Sequence, residues 1–281
     1  LEFRRVLFRS PLALSGSRGV IRVDSNEDLN TGIQRSLKIV SEQTDLYEKN
    51  HLLVEQYIAG REFAVEGMLS DGRLEVLAIF DKPDPLDGPY FEETFYISPA
   101  RVTKFERRLI IETVQASCTA YGLITGPVHA ECRLNKEGAW LIELAARTIG
   151  GLCSRLLCFG TGYSLEELVL ANAIDRDLTT QVNTDAAGVL MLPVKEAGVL
   201  RRVEGVMKAE KVPFIDAIEI SLREGHHVLP LPEGASYLGF VFSSAPDAYV
   251  VEQALREADS IINPVIAQLW PVLDGKKKAS A

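Results

Sequence analysis

Residues 128–144 read VHAECRLNKEGAWLIEL and predict a β-hairpin around the turn NKEG. The first strand alternates with period two, which places its apolar side chains on one face and His129, Glu131 and Arg133 on the other. Pairing the two strands about this turn sets Glu131 nearly opposite Glu143. The hairpin therefore predicts two carboxylates that face each other across neighbouring strands.

Two facing carboxylates call for a positive partner, because like charges repel across a strand pair. Glu143 also follows three apolar residues, where an unpaired carboxylate is costly. A divalent cation would meet both needs, and oxygen ligands without a Cys or His cluster favour Mg²⁺ or Mn²⁺ over zinc. The alternative is that one glutamate is exposed while the other pairs with Arg133 or Arg147. Arg147 could instead hold an anionic ligand.

The composition narrows the class of protein. The 281 residues suggest one large or two modest domains, and 47% hydrophobic and 25% charged residues argue against a mostly disordered chain. The formal net charge of −9 argues against nucleic acid or an anionic membrane surface as partner. Four cysteines without CxxC spacing favour a reduced, cytoplasmic setting over a zinc site or a disulfide scaffold. No apolar run approaches the ~20 residues of a membrane helix.

Hairpins interspersed with helices predict the α+β fold class, with a boundary near Asp185. Ser25 is predicted to cap a helix, and Asp71-Gly72 is predicted to form the turn of a second hairpin. A further helix start is predicted at Ser98-Pro99, and a proline-rich loop is predicted at residues 81–88.

The remaining candidate site residues each have an ordinary alternative. The stretch SGSRG at residues 15–19 could wrap phosphates with its backbone N–H groups, aided by Arg18, or could be a plain turn. It lacks the Gly-Lys-Ser/Thr ending of a Walker A loop. Glu62 beside a turn could be surface charge, Lys82 in a proline-rich loop could be solvated, and His129 could be a hydrogen-bonded strand histidine.

In chain order, four pieces of the sequence resemble the ATP-grasp superfamily. They are PLALSGSRGV at 11–20, VEQYIAGRE at 54–62, HAE at 129–131 and ELAARTIGG at 143–151. The first resembles the flexible loop that covers phosphates, and the second resembles the adenine hinge with its ribose-binding glutamate. The last two resemble the metal and acyl-phosphate site. The resemblance runs from Pro11 to about Leu178.

The motif ELAAR at 143–147 resembles the bacterial L-amino acid ligase branch, and residues 186–270 resemble the C-terminal domain of that branch. Two positions depart from the family pattern. Ala145 stands where many members carry a metal-binding Asn, and Ser10 stands where a phosphate-binding Lys precedes the proline. The first ten residues, LEFRRVLFRS, resemble a translated sequencing adapter, so we expect a chain truncated at its N-terminus.

The resemblance implies two α+β subdomains that grip ATP, followed by a small α+β C-terminal domain. The expected layout is a non-native junction at 1–10, an ATP-grasp domain at 11–185 with a partial lid subdomain at 11–54 and a metal and nucleotide subdomain at 55–185, a C-terminal domain at 186–273 and a tail at 274–281.

The resemblance also implies a role for each motif residue. Glu131 and Glu143 would hold Mg²⁺ or Mn²⁺, Arg147 would stabilise the acyl-phosphate and tetrahedral oxygens, and His129 would orient substrate. The residues expected to bind ATP lie in the loop, in the hinge and at the ribose and phosphate contacts: Ser15, Gly16, Ser17, Arg18, Gly19, Glu55, Gln56, Tyr57, Ile58, Glu62 and Lys82.

The activity implied by the resemblance is ATP-dependent joining of a carboxylate to an amine through an acyl phosphate. The products would be a dipeptide or a related amide, ADP and phosphate. The alternatives are another ATP-grasp ligase, of biotin carboxylase-like or purine-pathway type, and an inactive nucleotide-binding fragment. The expected partners are small-molecule substrates, and the resemblance implies a homodimer.

Overall fold

The computed structural model of the chain describes residues 7–12, 14–41, 43, 45–176, 178 and 185–269. The predicted tail at 274–281 and residues 1–6 of the predicted junction lie outside this part of the chain. The strands are β1 (Leu7–Pro11), β2 (Ile21–Val23), β3 (Leu52–Gln56), β4 (Arg61–Ser70), β5 (Arg73–Lys82), β6 (Phe95–Ser98), β7 (Gly126–Asn135), β8 (Gly138–Ala145), β9 (Ala186–Leu192), β10 (Gly198–Glu204), β11 (Ile215–Ile220), β12 (His227–Val228), β13 (Gly239–Ala245) and β14 (Asn263–Ala267). The helices are α1 (Asn26–Val40), α2 (Leu46–Asn50), α3 (Lys104–Ala120), α4 (Leu156–Thr161), α5 (Leu165–Ala173), α6 (Val206–Ala209) and α7 (Ala248–Ile261).

An antiparallel sheet of eight strands is the largest element of the described chain, in the order β11-β13-β9-β6-β5-β4-β7-β8. Strand β6 pairs with β9, so strands from both sides of Asp185 belong to one sheet. The predicted boundary near Asp185 is therefore not a break between sheets. Antiparallel sheets with separate helices confirm the α+β class.

Two smaller antiparallel sheets have three strands each. One has the order β2-β1-β3 and extends slightly beyond both ends of the predicted lid subdomain at 11–54. Helix α1 packs against β1 and β2 of this sheet. The other has the order β12-β10-β14 and belongs to the C-terminal part of the chain. No helix among the residues described has both the length and the apolar character needed to cross a membrane.

Helices α3 and α7 are among those that pack closely against the large sheet. Helix α3 contacts β7 and β8, where Val114 and Cys118 share a buried cluster with Ala130. The apolar face that period two predicted for β7 is thus buried. Helix α7 contacts β9 and β13, and Gly188 on β9 leaves room for it. A Cβ at Gly188 would lie 2.5 Å from Cγ1 of Val251.

Two local predictions are confirmed. Ser25 caps α1, where its side chain accepts a hydrogen bond from the N–H of Asp28. The turn at Asp71-Gly72 joins β4 to β5, as the second predicted hairpin requires. Apart from these predictions, the structure shows that Asp247 caps α7 by accepting hydrogen bonds from two N–H groups of its first turn.

Two local predictions are wrong. Ser98 ends β6 and pairs with Ala187, so it does not start a helix. Helix α3 begins instead behind Thr103, which forms a reciprocal capping box with Glu106 and so satisfies two backbone N–H groups at once. Strand β5 continues through Lys82, so the predicted loop at 81–88 begins later than expected.

Candidate functional site

A cavity of about 410 Å³ lies between the glycine–serine loop (residues 15–19), the hinge (residues 54–58) and the polar face of the large sheet. Ten of the predicted site residues line it: Ser15, Gly16, Ser17, Glu55, Gln56, Tyr57, Ile58, Glu62, Glu131 and Glu143. Arg18, Gly19, Lys82, His129 and Arg147 are not part of this lining. The fold therefore brings residues from all four sequence motifs to one cavity.

The hairpin register confirms the facing carboxylates. Glu131 on β7 pairs directly with Glu143 on β8, beside a bulge at Glu131–Cys132. Glu143 is more than half exposed, and its carboxylate lies 3.6 Å from Nη2 of Arg147. Arg147 also donates a hydrogen bond to the carbonyl of Thr148 at 2.9 Å. Arg147 thus partly neutralises Glu143, as one of the sequence alternatives expected.

A buried lysine stands among three glutamates on this face. Lys82 Nζ donates hydrogen bonds to Glu62 at 2.9 Å, Glu93 at 2.6 Å and Glu131 at 2.7 Å. One carboxylate oxygen from each glutamate lies within 4.8 Å of the other two. The solvated alternative for Lys82 is wrong, because its side chain is only 3% exposed. Glu143 does not belong to this group of three.

Strand register explains the convergence. Glu62 on β4 pairs with Lys82 on β5 and with Arg133 on β7, so three adjacent strands place these side chains side by side. Glu131 comes from the same face of β7, two residues before Arg133. Glu93 comes from the segment between β5 and β6, where no periodic pattern marks it. Sequence reasoning missed Glu93 for that reason.

The charges of this cluster depend on one another. Burial raises the pKa of the Glu93 carboxyl to about 7, and the neighbouring Glu131 adds to the shift. Burial also opposes the charge of Glu131, but Lys82 and His129 outweigh it and hold its pKa well below the usual range. The surrounding carboxylates likewise keep the pKa of Lys82 well above its usual value despite burial. Near neutral pH, Lys82 and Glu131 are charged and Glu93 is close to its midpoint.

Arg133 organises the hinge, a role that the sequence did not reveal. Its Nε donates to Glu62 at 2.7 Å, Nη1 donates to the carbonyl of Ile58 at 2.8 Å, and Nη2 donates to the carbonyl of Leu86 at 2.6 Å. Its guanidinium also lies 5.0 Å from the centre of the Tyr57 ring. The period-two pattern placed Arg133 on the polar face and was the signal available for it.

His129 is buried and has a partner at each ring nitrogen. Nδ1 contacts the carboxylate of Glu66 on β4, and Nε2 lies 3.7 Å from Glu131. Glu66 also accepts a hydrogen bond at 3.3 Å from the N–H of Ile149, just beyond β8. Burial works against an imidazolium here, but the carboxylates of Glu131 and Glu66 outweigh it and raise the pKa of His129 to about 9.

The carboxylate cluster suits a divalent cation by its donor chemistry. Three carboxylates surround one ammonium, and hard oxygen ligands of this kind are what Mg²⁺ and Mn²⁺ prefer. Glu62 accepts hydrogen bonds from both Lys82 and Arg133, whereas within the described part of the chain Glu93 and Glu131 accept none from a guanidinium. The residues present therefore fit the metal expected from the sequence, with Glu93 as an additional ligand candidate.

Comparison with known proteins agrees with this geometry. A family model described as an ATP-grasp domain matches residues 8–155, and one described as L-amino acid ligase C-terminal domain 2 matches residues 190–267. The first match begins within the stretch expected to be a non-native junction. The crystal structure of L-amino acid ligase from Bacillus licheniformis has a TM-score of 0.81 and 29% identity, covering 95% of this chain and 67% of that chain.

Two further relatives differ in what they show. Dapdiamide A synthase from Enterobacter agglomerans is 29% identical over 143 residues, which are 50% of this chain and 32% of that relative. The match thus spans about a third of the length of dapdiamide A synthase. N5-carboxyaminoimidazole ribonucleotide synthetase from Thermotoga maritima has a TM-score of 0.67 at 14% identity and covers 95% of this chain and 64% of that one, so it shares the fold.

The ATP-grasp match covers more than half of the chain and contains the glycine–serine loop, the hinge and every glutamate of the cluster. The second match begins in β9, the strand that joins the C-terminal part to the large sheet. The chain belongs to the ATP-grasp family and carries a C-terminal domain of the L-amino acid ligase type.

Proposed function

We propose that this chain carries the nucleotide and metal sites of an ATP-dependent carboxylate–amine ligase. The observation that carries the proposal is the cavity between the glycine–serine loop and the cluster of Glu62, Glu93 and Glu131. One wall offers backbone groups and small side chains for phosphates, and the other offers carboxylates for a metal. Family membership supports the same assignment.

The nucleotide would lie between loop and hinge. Backbone groups at Gln56–Ile58 would meet the adenine edge, and Arg133 fixes the carbonyl of Ile58 at this point. The ribose role expected of Glu62 stays a prediction, since both of its carboxylate oxygens already accept hydrogen bonds from Lys82 and Arg133. Ser15 and Ser17 line the opposite wall and would cover the phosphates.

Glu93 and Glu131, with Glu143 opposite, are the residues that would hold Mg²⁺ or Mn²⁺. Such an ion, when bound, neutralises charge on phosphate oxygens. Lys82 keeps the carboxylates together and supplies further positive charge beside them. The assignment of Glu143 as a ligand stays a prediction, because its carboxylate is exposed and contacts Arg147.

The proposed reaction has two steps. A substrate carboxylate oxygen attacks the γ-phosphorus, ADP leaves, and an acyl phosphate forms. An amine then attacks the acyl carbon, phosphate leaves, and the nitrogen loses a proton to give an amide. Arg147, which is exposed and holds Glu143 loosely, would stabilise the negative oxygens that develop in both steps.

Amino acids are the proposed substrates, with a dipeptide as the proposed product. The support is the motif ELAAR at 143–147 and the match of residues 190–267 to the L-amino acid ligase C-terminal domain. The matched solved structure is itself named an L-amino acid ligase. A homodimer and a cytoplasmic setting stay predictions from the sequence.

The test is amino-acid-dependent ADP release, with amide product measured in parallel. We expect Glu143→Ala and Glu131→Gln each to lower the rate by at least about 100-fold. Glu137→Ala is the matched control, because Glu137 is an exposed glutamate in the turn of the same hairpin. Near-normal turnover of Glu143→Ala would remove its metal role. Turnover with bicarbonate and not with amino acids would favour a biotin carboxylase-like ligase.

A further inference from the structure

The glycine–serine loop lies between the cavity and the C-terminal turn at residues 230–234. Ser15, Gly16 and Ser17 line the cavity, whereas Arg18 and Gly19 do not. The N–H of Gly19 donates to the carbonyl of Pro232 at 2.8 Å, and Nε of Arg18 donates to the carbonyl of Glu233 at 2.7 Å. The far end of the loop is therefore bonded to the turn at residues 230–234, which lies in the C-terminal part of the chain.

Helix α1 also contacts this turn. Arg35 makes a two-pronged ion pair with Glu233, with Nε 2.6 Å from Oε1 and Nη2 2.9 Å from Oε2. Its Nη1 contacts the hydroxyl of Tyr90. The next residue, Ser36, is fully buried and donates to the carbonyl of Gly19 at 2.9 Å. Helix α1, the loop and the turn thus form one bonded unit.

The pair is also matched in charge. The hydrogen bonds from Arg35 lower the pKa of Glu233, and the same contacts raise the pKa of Arg35. Planar guanidinium and carboxylate groups that meet through two parallel bonds hold orientation as well as distance. A bond of this kind can position the turn against the loop.

We propose that Arg35 and Glu233 are positioning residues for the nucleotide, because their ion pair holds the turn at 230–234 against the glycine–serine loop and so sets the loop over the cavity. The inference rests on the proposed function and adds to it a role of the C-terminal domain in nucleotide binding. The pair acts through the loop and lies outside the cavity lining.

The experiment compares Arg35→Gln, Glu233→Gln and the reversed pair Arg35→Glu with Glu233→Arg. Hydrogen exchange of the segment 15–20 reports whether the loop stays held, and calorimetry with a non-hydrolysable ATP analogue and Mg²⁺ reports affinity. We expect each single variant to speed exchange at Gly19 and to weaken binding about two- to fivefold, the range of a partly exposed ion pair. The reversed pair should recover both.

The matched control is Arg108→Gln, which breaks the exposed pair of Arg108 with Glu112 on α3, 3.7 Å apart. It should change neither exchange at 15–20 nor affinity. Wild-type exchange or wild-type affinity in Glu233→Gln would overturn the inference. Failure of the reversed pair to restore exchange and affinity would overturn it as well. Amide formation by the wild type is scored separately. Its absence would count against the ligase reaction, while exchange and affinity would still decide the role of the pair.

Discussion

Lys82 shows how much a single residue depends on its neighbours. A lysine that is 3% exposed is strongly unfavourable unless its charge is compensated, and here three carboxylates do so. Those carboxylates in turn would repel one another without it. From its residue type alone, Lys82 would be expected to be solvated. The carboxylates that compensate its charge come from β4, β7 and the segment between β5 and β6.

Replacement of Lys82 should reveal this mutual dependence. We expect Lys82→Met to lower the free energy of unfolding by about 3–5 kcal/mol, because it leaves crowded carboxylates without their cation. Added Mg²⁺ should return part of that loss if the carboxylates bind it. Denaturant unfolding with and without Mg²⁺ measures both effects. Lys136→Met, in the exposed hairpin turn, is the control, and an unchanged stability of Lys82→Met would contradict the prediction.

The buried pair of Glu66 and His129 should make stability depend on pH. The pKa of His129 rises from an ordinary value near 6.5 to about 9 on folding, so the folded chain binds a proton that the unfolded chain releases. Stability from this group is complete below pH 6.5 and is lost as pH rises through 9.

The double variant Glu66→Gln with His129→Gln tests this directly. The wild type should lose up to about 3 kcal/mol of unfolding free energy between pH 6.5 and 9 from this group, and the variant should lack that component. Urea unfolding at a series of pH values gives both slopes. Equal slopes would show that His129 does not gain its proton on folding.

At the scale of the elements, the glycine–serine loop depends on a backbone shape. Gly19 has a φ of +75°, and a Cβ at this position would lie 2.6 Å from Cγ of Pro11. The strand β1 that ends at Pro11 and the loop therefore approach each other closely. Ser15 to Ser17 can reach the cavity because the chain turns back at this glycine.

Gly19→Ala and Gly72→Ala form a matched pair. Gly72 has a φ of +77°, but a Cβ there would meet no atom within 4 Å. Both variants should lose about 1–2 kcal/mol of stability from the left-handed backbone. Only Gly19→Ala should also weaken nucleotide binding, because Pro11 must move. Equal nucleotide affinities in calorimetry would show that the loop tolerates the displacement.

At the scale of the whole molecule, the eight-stranded sheet makes the nucleotide site and the C-terminal domain parts of one structure. Strand β6 pairs with β9, and Arg256 on α7 lies 2.6 Å from Asp84, in the segment that also carries Glu93. The C-terminal domain thus contacts the segment that carries Glu93 as well as the glycine–serine loop. A substitution that destabilises one of these parts should therefore also destabilise the other.

Gly188→Val tests this coupling. The new side chain would push against Val251 and Leu255 of α7, whose nearest atoms lie 2.5 Å and 3.1 Å from a Cβ at Gly188. We expect a loss of about 1–3 kcal/mol. Hydrogen exchange in β8, at the far edge of the sheet, should accelerate together with exchange in β9. Faster exchange confined to β9 would show that the two parts unfold independently.

The sequence by itself determined the α+β class, the capped helix α1, the β7–β8 hairpin and the facing pair of Glu131 and Glu143. These features follow from side-chain alternation, capping residues and a short turn, all of which act between residues close in the chain. The sequence motifs also marked the loop and hinge that line the cavity.

Only the tertiary structure decided that Lys82 is buried, that Glu93 joins the carboxylate cluster, and that Arg133 holds the hinge. It also decided that one sheet crosses Asp185. Each of these rests on contacts between strands and segments far apart in the chain. The local sequence pattern does not show which strands are neighbours in the sheet. That order is set by how the apolar faces of all the elements pack together.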